Sequence, residues 1–300
     1  MNSAVKPLVE QIDRVLLGKQ HQIKLSLCCL MAGGHLLIED VPGVGKTTLA
    51  NSLAHSLGLT YQRVQFTSDM LPADLLGVSI FNQDTHKFSF HKGPIFSQVV
   101  LGDEINRASP KTQSALLEAM AEGQVSIDGD TYSLPQPFFV IATQNPLEHS
   151  DTFELPDSQL DRFLMRVTLG YPSADAEKAM LMQSTQNVAL QQLIQGDALL
   201  EVKREIESIN VADAVIDYIL RIVNETRSNN KYAHPLSPRA TRSLLAASKS
   251  WAYIEGREYA LPEDVQAILP AVCEHRLRGS SQSHAQSLSE QLLHSVDPLG

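Results

Sequence analysis

Cysteine is scarce in this chain of 300 residues, with three in all: Cys28, Cys29 and Cys273. They form neither a disulfide framework nor a metal-spaced set, which fits the cytoplasm. Cys28 and Cys29 lie in an apolar helical run and read as small core residues. The ten histidines are scattered, with no HExxH pattern and no paired Cys/His spacing, so a zinc site has no sequence support. Basic residues are in the minority, 24 against 34 acidic, for a formal net charge of −10. That balance argues against broad nucleic-acid binding driven by phosphate neutralisation, a local basic groove aside. No apolar run approaches the ~18 residues of a membrane span, and residues 1–10 lack a signal-peptide pattern, so no membrane insertion is expected. Internal repeats are absent too. Apolar residues, in contrast, make up 43% and charged ones 19%, enough for a sizeable core in about two domains.

The apolar pattern is that of an α/β chain. Residues 5–31 read as helices around the turn Leu17-Gly18-Lys19. Strand-like runs follow at 36–39, 61–66, 99–101, 138–142 and 164–169, with helical patterns between several of them. Strands alternating with helices predict a parallel sheet covered on both faces. Two excursions, 78–90 around Asn82-Gln83-Asp84 and 124–134 around Asp128-Gly129-Asp130, read as β-hairpins. From 176 to 278 the period is helical, with no convincing strand. Helix starts are marked at Ser237-Pro238 and Leu261-Pro262. After Gly279 a Ser/Gln/His-rich stretch has little drive to fold alone, although Leu288, Leu292 and Val296 could form one helix face.

The stretch Leu36-Leu37-Ile38-Glu39-Asp40-Val41-Pro42-Gly43-Val44-Gly45-Lys46-Thr47-Thr48 carries the most chemistry. An apolar strand enters a tight turn and opens a helix, the context a phosphate-binding loop requires. Gly43 and Gly45 let backbone N–H groups turn inward around a phosphate, and the helix offers its positive end to the same anion. Lys46 would reach the β- and γ-phosphates, and the Thr47 hydroxyl would ligate Mg²⁺. The full pattern wants glycine at position 40, where this chain has Asp40.

Val99-Val100-Leu101-Gly102-Asp103-Glu104 ends a strand in two acids, at the sheet edge where open α/β sheets bind ligands. Behind a phosphate loop, Asp103 is expected to hold Mg²⁺ and Glu104 to orient the water that attacks the γ-phosphate. Phe138-Phe139-Val140-Ile141-Ala142-Thr143-Gln144-Asn145-Pro146 is a second buried strand with a polar end. Asn145 could bond the γ-phosphate and the water, or simply form a turn before proline; the residues alone leave both open.

With those motifs in place the chain resembles the AAA+ ATPases and, within them, the MoxR family. The matching segments are 39–48, 102–108 continuing through 111–120, 142–146, 155–163 and 236–240, and the similarity spans about residues 8–280. The resemblance implies a three-layer αβα P-loop domain over 1–170 with two hairpin inserts. A small all-α lid over 171–279 and a polar tail over 280–300 would follow it. Pro42 through Thr48 would cradle ATP, and Leu17 and Gly18 would pack against adenine. It makes Asn145 the sensor-one residue and Arg239 the sensor-two arginine on the lid. Arg162 becomes the arginine finger that reaches the γ-phosphate held by the neighbouring subunit, with Arg166 as the alternative. From the residues alone, Arg162 could equally pair with Asp161 or Asp157, and Arg239 could be a surface cation. Arg107 and Lys111 stay open between a subunit boundary, a substrate contact and a solvated helix face. The family implies a homo-oligomeric, hexameric ring and an ATP- and Mg²⁺-dependent, chaperone-like action on a protein client, with a von Willebrand factor A domain partner.

Two rival readings are a DNA-directed motor and a nucleotide-gated scaffold with negligible hydrolysis. The acidic balance and the lack of an appended DNA-binding module count against the first. The intact set of Asp103, Glu104, Asn145 and Arg162 counts against the second.

Overall fold

The five apolar runs that end in polar residues become the five strands of one parallel sheet. The computed structural model describes residues 1–84, 86–147, 152–182, 189–194, 196–279 and 287–298. Helices α1 (Lys6–Asp13) and α2 (Gln20–Met31) precede β1 (His35–Glu39) and α3 (Lys46–Ser56). Strand β2 (Tyr61–Gln65) and the short α4 (Pro72–Leu76) lead into a hairpin of β3 (Gly77–Asn82) and β4 (Lys87–Lys92). Strand β5 (Val99–Asp103) is followed by α5 (Pro110–Glu122) and a second hairpin, β6 (Gln124–Ile127) with β7 (Asp130–Ser133). Then β8 (Phe139–Gln144), α6 (Asp157–Leu160) and β9 (Phe163–Val167) complete the sheet.

The strand order is β2-β5-β8-β1-β9, and each pairing is parallel. The inner strands β1, β5 and β8 are apolar on both faces because both are covered, whereas the edge strand β2 is polar and largely exposed. Leu36, Ile38, Val99, Leu101, Phe139 and Ile141 point into the cluster built with α1, α2 and α3. Leu37, Val100, Val140 and Ala142 point into the other, with α4 and α5. The winding reverses beside β1: the connection from β1 runs toward β2 at one edge, and that from its neighbour β8 runs the other way, to β9. That makes the carboxyl end of β1 the switch point at which such sheets open a ligand crevice.

The C-terminal part is mostly helical: α7 (Ala174–Met182), α8 (Gly196–Ser208), α9 (Asp213–Ser228), α10 (Pro238–Ile254), α11 (Pro262–Cys273) and α12 (Leu288–Ser295). Ser237 caps α10 by accepting the Ala240 N–H at 3.1 Å, with Pro238 at the first position. Helix α10 packs on α2, and one apolar cluster runs from the sheet into these helices. The expectation of no strand here needs correction. β10 (Asn210–Val211) pairs in parallel with β12 (Tyr259–Ala260), and β11 (Tyr232–His234) pairs antiparallel with β13 (Arg278–Gly279). Segments of two or three residues are too short for a two-residue period to show.

Of the polar stretch after Gly279, residues 280–286 lie outside the described residues. Beyond them α12 forms as the apolar spacing anticipates, burying Leu288 and Leu292 behind a Ser287 cap. Both hairpins form where turn chemistry places them. Asp128 and Gly129 take φ of 52° and 90°, the paired positive values of a two-residue type I′ turn. Phe90 of the first hairpin stacks on Tyr132 of the second, ring centroids 4.2 Å apart, so the two inserts are joined.

Candidate nucleotide site

The loop between β1 and α3 has the backbone of an anion cradle. Gly43 and Gly45 take φ of 84° and 100°, values that L side chains rarely adopt. At Gly45 a Cβ would also lie 2.5 Å from Leu16 Cδ1, so the turn between α1 and α2 packs directly on the loop. Gly18 in that turn faces Ala176 at the start of α7, a Cβ there falling 3.7 Å from the alanine's. The turn that carries Leu17 and Gly18 therefore stands between the loop and the helical part. Pro42 and Gly43 are exposed and Val44 is buried. Lys46, Thr47 and Thr48 form the first turn of α3, directly behind Gly45.

Lys46 Nζ donates to the Asp40 carbonyl at 2.7 Å. Burial pushes its pKa below the usual lysine value, opposed by the charges of Asp103, Asp40 and Glu104. Asp40, where the general pattern has glycine, is buried and occupied. Its carboxylate accepts the Val41 N–H at 2.8 Å and the Gly170 N–H at 2.6 Å. The departure thus ties the loop to the segment leaving β9. Lys19 grips the same segment, donating to the Leu169 and Tyr171 carbonyls at 2.7 Å each.

The two acids at the end of β5 are held by one hydroxyl. Thr143 Oγ1 donates to Asp103 Oδ1 at 2.6 Å and accepts the Glu104 N–H at 2.9 Å. Glu104 sits at φ 57°, ψ 51°, left-handed backbone that costs a non-glycine residue about 1 kcal/mol or more. The turn aims its carboxylate back across the sheet edge, where Gln65 Nε2 donates at 2.8 Å and Arg107 Nη1 at 3.1 Å. Arg107, left open by the sequence, therefore has a partner within the chain. Lys111 is exposed. Asp103 Oδ2 accepts from Arg63 Nη2 at 2.6 Å. Sequence reasoning assigned no role to Thr143, Arg63 or Gln65. Thr143 is the one polar residue before the end of an apolar strand. Arg63 and Gln65 share a face of β2 by two-residue alternation, and the parallel register sets Gln65 beside Asp103.

Asn145 follows β8, one strand from the loop, and its Oδ1 accepts the Leu147 N–H at 3.1 Å. Of the two readings that the sequence left open for Asn145, the turn forms, and it stands at the same sheet edge as the loop.

The three arginines go to different places. Arg166 pairs with Glu39 at 2.5 Å inside the chain. Arg162 donates to the Leu117 carbonyl at 2.5 Å, its buried Nε has no partner, and no carboxylate lies within ion-pair distance of it among the described residues. The two acids that could have taken it turn to the helical part instead. Asp157 meets His234 Nδ1 at 2.7 Å, and Asp161 meets Arg276, Ser237 and Arg239. Arg239, half-exposed, lies 3.7 Å from Asp161 and so joins α10 to the segment beside Arg162. The structure thus gathers Lys46, Thr47, Asp103, Glu104 and Asn145 along one sheet edge and leaves Arg162 and Arg239 outside that group.

Residues 35–165 match the ATPase family associated with various cellular activities (AAA), and residues 224–295 match the AAA lid domain. YeaC of Bacillus subtilis is 45% identical over 272 residues, covering 90% of this chain and 85% of that protein. Chaperone MoxR1 of Mycobacterium tuberculosis is 38% identical over 294 residues, covering 94% of this chain and 78% of its own length. A crystal structure of a candidate ATPase from Cytophaga hutchinsonii superposes with a TM-score of 0.89 at 34% identity, covering 98% of this chain and 94% of that one. In sequence and in fold alike, the chain belongs to the MoxR family of AAA+ ATPases.

Proposed function

We propose that this chain hydrolyses ATP with Mg²⁺ in a cytoplasmic hexameric ring and uses the cycle to remodel a protein partner, one carrying a von Willebrand factor A domain. The observation that carries the catalytic part is the Thr143 hydroxyl fixing both Asp103 and Glu104 beside the glycine loop. Two acids pinned at a sheet edge within reach of a lysine and a helix N-terminus suit phosphoryl transfer to water.

The residues fit the nucleotide and its metal. Gly43 and Gly45 supply the left-handed backbone that a phosphate cradle needs, and a Cβ at Gly45 would collide with Leu16. Thr47 and Asp103 offer the hard oxygen donors that Mg²⁺ prefers. Bound Mg²⁺ supplies charge neutralisation on the phosphate oxygens. Lys46 holds the β/γ side as a point charge, Glu104 orients and polarises the water, and Asn145 positions it. Arg162 from a neighbouring subunit stabilises the transferring group, and Arg239 reads the nucleotide from the lid. Among the described residues Arg162 has no carboxylate partner of its own in reach, which supports use across a subunit boundary.

The exposed apolar residues of the first hairpin, Ile80, Phe81 and Phe88, support contact with a protein client. Its stacking on the second hairpin would let both inserts respond together. Among the described residues no helix is long and apolar enough to cross a membrane.

The test separates binding from hydrolysis. Lys46→Ala is expected to lose ATP binding, and Glu104→Gln to bind ATP yet turn it over at least a hundredfold more slowly. Undiminished turnover in Glu104→Gln, or wild-type turnover in EDTA, overturns the assignment. ATPase stimulated by duplex DNA at physiological salt would favour the motor reading instead.

A further inference from the structure

The segment that carries Arg162 is held by the helical part at both of its ends. Helix α6 begins at Asp157, whose carboxylate meets His234 of β11 at 2.7 Å. It ends at Asp161, whose Oδ1 accepts from Arg276 Nε at 2.8 Å and whose Oδ2 accepts from Ser237 Oγ at 3.0 Å. Arg239 lies 3.7 Å from the same Oδ2. Arg276 extends the grip to the backbone, its Nη2 donating to the Asp161 carbonyl at 3.2 Å and the Phe163 carbonyl at 2.7 Å. One buried guanidinium therefore clamps the carbonyls on either side of Arg162. Through a hydrogen bond and the ion contact, Asp161 joins that clamp to the first turn of α10, which carries Arg239.

The Arg162 side chain is held far more lightly. Among the described residues a single carbonyl, that of Leu117, accepts from it, and its Nε is buried without a partner. Its backbone is thus fixed to the lid while its guanidinium has no fixed counter-charge among the described residues. Asp161 is the chain neighbour of Arg162, Cα atoms ~3.8 Å apart, and Arg276 holds the carbonyls on both sides, so a displacement of Asp161 bears directly on Arg162.

Resting on the reading that Arg162 serves the neighbouring site, we propose that Asp161 is a positioning residue that transmits the placement of a subunit's own lid to the Arg162 this subunit offers next door. The lid would then answer to two sites. Arg239 senses the nucleotide bound in its own subunit, and Asp161 converts the response into better or poorer presentation of Arg162. A finger of this kind contributes about 10³- to 10⁵-fold in rate, and displacing a catalytic group by ~1 Å can cost about a hundredfold. A shift too small to unpack α10 from α2 would be enough to matter.

Mixed assemblies separate this role from a structural one. The control mixes Glu104→Gln subunits with Arg162→Ala subunits, so that the only complete sites join an intact Glu104 to a neighbour's Arg162. Asp161→Asn is then added to one subunit type at a time, with sedimentation confirming assembly and a fluorescent ATP analogue confirming binding. Placed in the Glu104→Gln subunit, which donates the finger, it is expected to lower the rescued turnover about tenfold or more. Placed in the Arg162→Ala subunit, which supplies the rest of the site, it is expected to cost clearly less.

Equal losses in the two placements, or a loss confined to the second, overturn the proposal. Failure of the control to rescue removes the shared site itself and the proposal with it, a result visible before Asp161 is touched. Should Asp161→Asn fail to fold, Ser237→Gly serves in its place. It deletes one contact to Asp161, and glycine at a helix N-cap costs only a few tenths of a kcal/mol. The same donor-over-acceptor asymmetry is expected, and its absence is equally contradictory.

Discussion

The sheet edge beside β1 and the joint at α6 are both polar, but they are built in opposite ways. At the sheet edge the charged groups have partners they can exchange: Lys46 rests on a backbone carbonyl, Asp103 on an exposed arginine, Glu104 on an amide and a partly exposed arginine. At the joint the central cation, Arg276, is almost fully buried and donates to Asp161 and to several carbonyls at once. A site that must receive and release a ligand keeps its polar groups near water, where breaking a contact is cheap. A joint that must pass on a displacement keeps them buried, where an unpaired charge is costly.

The largest expected effect is on the joint. Arg276→Met removes a buried cation and with it the hydrogen bonds given to the Asp161 carboxylate and to four main-chain carbonyls. Stability in urea should fall by about 3 to 5 kcal/mol. A loss under 1 kcal/mol would mean the joint is no more rigid than the cleft.

Acid should weaken the opposite edge of the sheet by a somewhat smaller amount. His35, at the start of β1, is partly buried, and burial pushes its pKa down to about 4. Its Nδ1 accepts the Val140 N–H at 2.9 Å, so the ring must stay neutral there. The unfolded chain, with an ordinary histidine, binds the proton at higher pH. Stability is therefore intact above about pH 6.5 and declines as pH falls toward 4, by on the order of 3 kcal/mol in total. Urea midpoints across that range check it, and His35→Gln should flatten the slope.

Smallest in stability, but specific to the cleft, is Thr143→Val. It removes a hydroxyl bonded to a carboxylate without changing side-chain volume much. ATP turnover is expected to drop about 10- to 100-fold while ATP binding stays within a few-fold, as measured by steady-state phosphate release and nucleotide titration. Unchanged turnover would show that the acids hold their geometry without it.

Much of the cleft was legible because its signals are local. Glycines at 43 and 45, two acids closing an apolar run and an Asp-Gly turn each act through their own backbone. The polar partners were not legible for the opposite reason. Arg63 reaches Asp103 only because β2 and β5 are neighbours in register, and Asp161 reaches Arg276 across more than a hundred residues. The short pairings of β10 to β13 escaped because so few residues carry no period. Asp40 shows the limit of motif reading: as a departure from a pattern it says little, yet its carboxylate ties the loop to Gly170.

The central claim is that the sheet edge is chemically incomplete until a second subunit supplies Arg162. Turnover of assembled Arg162→Ala, measured beside its ATP affinity, tests this most directly. The account predicts ATP binding within a few-fold of wild type and hydrolysis slower by about 10³-fold or more. Wild-type turnover in assembled Arg162→Ala would contradict it.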